Sequence, residues 1–167
     1  MEIELKCEHW LNMLRVSSVG GDGSASSTVR DKMRPGDVAA ALGMVEDNRH
    51  RLALEVRAGL GDEKEIMLLL QTIRQNLVVF DWFCKESMQK SSYRLKLDRV
   101  SRCAISQLVL GVEMAKAAKA CEVGIARQSY YKTWDVRERN IFQLIYQWSI
   151  DGDRALYSRL SDRFEAA

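Results

Sequence analysis

Five residues set close together, Arg127, Gln128, Ser129, Tyr131 and Lys132, carry the donors and acceptors that base edges and phosphates accept. Arginine can bond bidentately to guanine, glutamine to adenine, and lysine to guanine or phosphate. They lie in the stretch "EVGIARQSYYKTW", where a glycine interrupts an alanine-rich run that reads as helix. To act together, such side chains must project from one helix held at a fixed angle by a second. A helix-turn-helix needs a small residue at the crossing, a glycine for the left-handed turn and a hydrophobic residue to plug the corner. Ala120 supplies the first, Gly124 the second, and Val123 and Ile125 the third. Tyr130 falls at the inward position of the second helix and Trp134 closes its end, which leaves Arg127, Gln128, Tyr131 and Lys132 outward. The motif is placed at about 113–134. Lys119, where an apolar residue is common, and Ala126, where Ser or Thr usually caps, depart from it. The competing reading is an ordinary αα-corner with a polar outer helix.

Just upstream, "SMQKSSYRLKLDRVSR" holds Lys90, Arg94, Lys96, Arg99 and Arg102 against the single acid Asp98. A basic helix preceding the motif is where phosphate contacts belong, and Arg94, Arg99 and Arg102 are the candidates. A solvated helix face is the alternative. The net charge is only +2, so any nucleic-acid affinity has to come from this local clustering.

The 167 residues include one proline and ten glycines, which favours long helices over strands and turns. The expected class is all-α: a compact helical domain containing the helix-turn-helix, with an N-terminal helix on a flexible Gly/Ser-rich linker. The first helix is expected at 1–16, beginning at Glu2, with Trp10 and Leu14 available for burial. Residues 17–36 form the linker, and 37–167 the helical domain. Asp37 is expected to cap a short helix through Gly43 and Met44, which pairs as a hairpin with "HRLALEVRAGLG". That glycine starts a second helix-turn-helix pattern, but Arg49 sits where an apolar residue should follow. The segment "GDEKEIMLLLQTIRQNLVVFDWFCKESM" is read as one helix, boxed by Asp62 and Glu65, with Ile66, Leu69, Leu70, Ile73, Leu77, Phe80 and Phe83 inward. Ser91 and Ser92 start another through Leu110, with Leu97, Val100, Ala104 and Leu108 inside. Two final helices, Val136–Ile150 and Asp153–Phe164, are expected on either side of "DGD".

Enzymatic and metal chemistry find little purchase. Four cysteines, Cys7, Cys84, Cys103 and Cys121, lack a C-x-x-C pair, and neither His9 nor His50 sits near one, so no zinc site is expected. His50 reads as a solvated helix start and Cys121 as a small buried residue. "GLGDEK" lacks the ending of a phosphate loop. No small-molecule substrate or cofactor is expected. Glu2, Glu4, Lys6 and Glu8 break any secretory leader, and the apolar runs are too short for a membrane span, so a cytoplasmic location is expected.

The stretch "RPGDVAAALGMVEDNRHRLALEVRAGLGDEKEIMLLLQTI" resembles the N-terminal portion of the lambdoid-phage late-gene antiterminators called Q. The shared letters are Asp37, Val38, Ala40, Ala41, Gly43 and Met44. The remainder resembles the helix-turn-helix end of phage regulators and sigma-like domains. Some Q proteins carry a four-cysteine zinc insertion that this chain lacks, so the resemblance is to the zinc-free ones. It implies a transcription antitermination factor in a bacterial host. Such a factor binds a double-stranded, promoter-proximal DNA element, loads onto RNA polymerase and suppresses termination. The alternative is a helix-turn-helix repressor or activator, or a packaging-type DNA binder, acting as a dimer. Ile141, Leu144, Ile145 and Trp148 could supply the dimer stripe, or could cap the core.

Overall fold

The computed structural model describes residues 5–18 and 34–165, and among them every regular element is helical. The elements are α1 (Glu8–Ser18), α2 (Pro35–Gly43), α3 (Asn48–Arg57), α4 (Glu63–Asn76), α5 (Ser91–Leu110) and α6 (Lys116–Val123). After a turn, α7 (Arg127–Ser129) runs without a break through a π-helical turn, Tyr130–Trp134, into α8 (Asp135–Glu165). The chain divides into two compact units. One combines the described parts of Met1–Gly61 and Trp148–Ala167; the other is Asp62–Gln147.

The first unit is built on one apolar cluster. Cys7 and Leu11, Val38, Ala41 and Leu42 of α2, Val45 beyond it, Leu54 of α3, and Leu156 and Leu160 of α8 are its buried members. The start of α1 is secured from a distance. Asp153, itself buried, accepts the backbone N–H groups of Lys6 at 2.8 Å and Cys7 at 2.9 Å. It does for this helix what a capping side chain does for its own. Burial and the neighbouring Asp153 push the Cys7 thiol well above its ordinary value. The N-terminal helix is therefore part of a core, not a detachable arm, and it begins at Glu8 instead of Glu2. Of the linker expected at 17–36, Ser17 and Ser18 instead finish α1 and Pro35 and Gly36 open α2, while 19–33 lie outside the described residues. Pro35 suits a first turn, where its missing N–H costs nothing. Asp37 stands inside α2, not at its cap, and reaches back to accept the Arg34 N–H at 3.1 Å.

Asp47 caps α3 through the Arg49 N–H at 2.9 Å. The Arg49 guanidinium, 2.6 Å away, and that N–H hold its carboxyl down to about 2. Arg49, misplaced for a DNA reader, is thus occupied with the cap and with the Trp148 ring 5.8 Å from its guanidinium carbon. The expected break at "DGD" does not occur, because Gly152 lies inside α8. Its role is close approach. A Cβ there would stand 2.4 Å from the His50 carbonyl oxygen and 3.1 Å from Leu54 Cβ.

In the second unit Asp62 and Glu65 form the expected box: Asp62 accepts the Lys64 N–H at 2.7 Å, and its own N–H reaches Glu65 at 3.1 Å. α4 nevertheless stops at Asn76, short of Phe80 and Phe83, which are half-buried beyond it. The Asn76 amide turns back onto the Thr72 carbonyl at 2.8 Å, and the β-branched pair Val78–Val79 follows in a tighter turn, exposed. α5 has the bounds and the buried face expected, and the bidentate pair Arg74–Asp98, at 2.7 and 2.8 Å, clamps it to α4.

Two glycine substitutions should have opposite signs. Gly152→Ala forces α3 and α8 apart against backbone, an overpacking cost of roughly 1–3 kcal/mol that exceeds the gain in helix propensity. Gly43→Ala meets nothing within 4 Å and should be neutral or stabilising, by up to about 1 kcal/mol. Thermal melts of the two variants beside the parent chain check both; equal melting temperatures would contradict the close crossing at Gly152.

Candidate nucleic-acid interface

α6 ends where an alanine-rich run meets a residue free to turn left-handed. Gly124 has φ +69°, and its N–H bonds to the Cys121 carbonyl at 3.0 Å. The Ile125 N–H reaches the Ala120 carbonyl, also at 3.0 Å, so two of the last carbonyls of α6 are satisfied by the turn. Ala126 is extended, and α7 begins at Arg127 with no side-chain cap. Ala120, Val123, Tyr130 and Trp134 are buried and Ile125 half-buried, the inward set that the spacing required. Arg127, Gln128, Ser129, Tyr131 and Lys132 are all exposed. Tyr130 and Trp134, four residues apart at the two ends of the π turn, both face inward.

Lys119 is the residue that sequence reasoning treated as out of place. It is 1% exposed, with its ammonium 2.7 Å from the Glu138 carboxylate and 3.5 Å from Glu113. Glu138 is equally buried, and it also accepts the Tyr130 hydroxyl and the Gln107 amide. Burial raises the Glu138 carboxyl above its ordinary value, against the lowering pull of Lys119 and Gln107. One carboxylate thus ties α5, α6, the π turn and α8 together. The signal was present in sequence: Glu138 falls on the stripe of Trp134, Ile141 and Ile145, and an acid on an apolar stripe calls for a buried cation. Beside it, the Arg137 guanidinium lies within 4.8–5.7 Å of the rings of Trp134, Trp82 and Tyr93. It also donates to the Tyr93 hydroxyl at 3.2 Å. These cation–π contacts fix the helix just beyond the π turn.

The basic residues of α5 are not equivalent. Arg99 donates to the Val123 carbonyl at 3.2 Å, and its NH1 occupies the space a Cβ on Gly124 would need, 2.8 Å away. It closes the end of α6 with one of its donors while remaining exposed. Arg102 pairs with Glu63 at 2.8 Å and lies against the Met67 sulfur. Arg94 is exposed. Lys116, which sequence reasoning did not single out, joins the α7 face: its ammonium is 3.0 Å from Asp135 and 5.9 Å from the Tyr131 ring centroid. Arg139 holds the same Asp135 at 2.9 Å. Cys121, expected to be buried, is exposed, while burial pushes the Cys103 thiol up to about 12. Ile141, Ile145 and Trp148 of the candidate dimer stripe are covered within the chain. Among the described residues no group of His, Cys, Asp and Glu gathers to hold a metal ion, and no helix is long and apolar enough to cross a membrane. No protein-family model, curated protein or solved structure matches the chain.

Removing one partner of a buried ion pair strands the other. Lys119→Met should therefore cost about 3–5 kcal/mol of stability, and adding Glu138→Gln should recover most of it. Denaturant unfolding of the single and double variants measures this directly. A loss under roughly 1 kcal/mol for Lys119→Met would show that the pair is not held out of water.

Proposed function

We propose that the chain is a sequence-specific DNA-binding transcription antitermination factor that loads onto bacterial RNA polymerase near a phage late promoter. The observation that carries the DNA-binding part is the left-handed turn at Gly124 followed by an exposed row of Arg127, Gln128, Ser129, Tyr131 and Lys132 on a braced helix. A helix presented in this way fits the major groove of double-stranded DNA with its first residues toward the base edges. Arg94 then serves the backbone, with Arg99 and Arg102 as further candidates that each already have one partner within the chain.

Charge distribution supports a division of labour. Residues 62–147 hold 14 lysines and arginines against 10 acids, and the rest of the chain holds 11 against 13. The basic unit carries the reading row. The other carries the segment that resembles the Q antiterminators, where Val38 and Ala41 are buried and Gly43 and Met44 exposed. In this reading one unit grips a promoter-proximal element and the other meets polymerase. Packing of α1 into its core means that polymerase is met by a folded surface.

Arg127→Ala should cost roughly 1–3 kcal/mol of specific binding, with less change on random DNA, if the arginine makes a bidentate base contact. Arg94→Ala should weaken binding to all sequences and flatten the salt dependence by about one unit. Transcription in vitro across a terminator, from a promoter overlapping the bound site, tests the rest. Added protein should raise readthrough, and Arg127→Ala should abolish the effect. Loss of initiation in place of readthrough would mark a repressor instead.

A further inference from the structure

Arg102 is paired with Glu63, and Lys116 and Arg139 with Asp135, each a carboxylate. Arg99 donates through a terminal nitrogen to a backbone carbonyl at the end of α6. Arg127 is held by a side chain of the reading row itself: its Nε donates to a neutral partner, the Tyr131 hydroxyl, at 2.8 Å, and its guanidinium carbon is 5.4 Å from that ring's centroid. Its charge is therefore not neutralised by the bond that orients it. Tyr131 is held in turn. It sits in the π turn beside Tyr130, whose ring meets it edge-on at 6.3 Å and is fully buried and bonded to Glu138. The Lys116 ammonium lies 5.9 Å from the Tyr131 ring.

We propose that Tyr131 is a positioning residue that pre-sets Arg127 for end-on recognition of a guanine, an inference that rests on the DNA-reading assignment of α7. A guanidinium has five N–H donors in a planar fork. With the Nε donor engaged by the phenol, the four that remain are on the two terminal nitrogens. That pair matches the O6 and N7 acceptors of guanine in the major groove and no other base presents the same two acceptors there. An exposed arginine would otherwise spend rotamer entropy on reaching this geometry, and a partner that orients it without cancelling its charge removes much of that cost. Adenine, which offers N7 beside an amino donor, would leave one guanidinium donor facing another donor.

The test is selection from a randomised duplex DNA pool with the full chain, Arg127→Ala and Tyr131→Phe. Phenylalanine keeps the ring and removes only the hydroxyl of a side chain already 37% exposed, so its melting temperature should match the parent. The parent should enrich a motif containing a fixed guanine. Arg127→Ala should lose the preference at that one position and keep it elsewhere. Tyr131→Phe should reduce the guanine-over-adenine preference at the same position about fivefold, and leave the preference at the other positions of the motif in place. Parent-like preference in Tyr131→Phe would overturn the positioning role while leaving the reading helix intact. A uniform loss of affinity in Arg127→Ala, with the motif preserved, would make Arg127 a phosphate contact and overturn the guanine assignment. A parent chain that enriches no motif would overturn the DNA-reading assignment itself and this inference with it.

Discussion

Lys119 and Glu138 lie 2.7 Å apart with both side chains almost wholly removed from water. Desolvating either ion alone costs several kcal/mol, so α6 and α8 cannot slide past one another without stranding a charge. Apolar contacts tolerate small slips because they are non-directional; a carboxylate that also receives the Tyr130 hydroxyl and the Gln107 amide does not. The orientation of the α7 row is inherited from this point. The left-handed bend at Gly124 sets the angle between the two helices, and the buried ions set their register.

Arginine is put to several distinct uses in the same unit. Arg74 clamps two helices through a carboxylate, Arg99 closes a helix end through a carbonyl, Arg102 takes an exposed ion pair, and Arg137 sits among three aromatic rings. Guanidinium geometry permits all of these. A tally of basic residues therefore overstates the cationic surface left for a polyanion, and the partner of each side chain decides more than its charge.

Much of the fold was legible because it rests on local rules. The Asp62–Glu65 box, the span Ser91–Leu110 with its inner face, and the glycine turn at 124 each follow from a few neighbouring residues. The misreadings share a cause, which is contact between residues remote in sequence. Gly152 looks like a breaker until His50 is placed against it, and the first residues of α1 look free until Asp153 is found beneath them. The outward row of the candidate site was legible from the glycine turn and the inward positions of Tyr130 and Trp134. That the exposed Arg99 bonds to the Val123 carbonyl was not, because it depends on where α5 crosses the end of α6.

The unit that carries the reading row is one uninterrupted stretch, Asp62–Gln147, whereas its companion draws on residues from both sides of it. On a ribosome this imposes an order. The contiguous stretch depends on nothing made after Gln147, and domains generally form as units. Its companion cannot close until Asp153, Leu156 and Leu160 have been added, so until then Lys6 and Cys7 lack the carboxylate that receives their N–H groups and Leu11 has only α2 and α3 to pack against. Loss of the last turns of α8 would therefore strike hardest at the opposite end of the polypeptide.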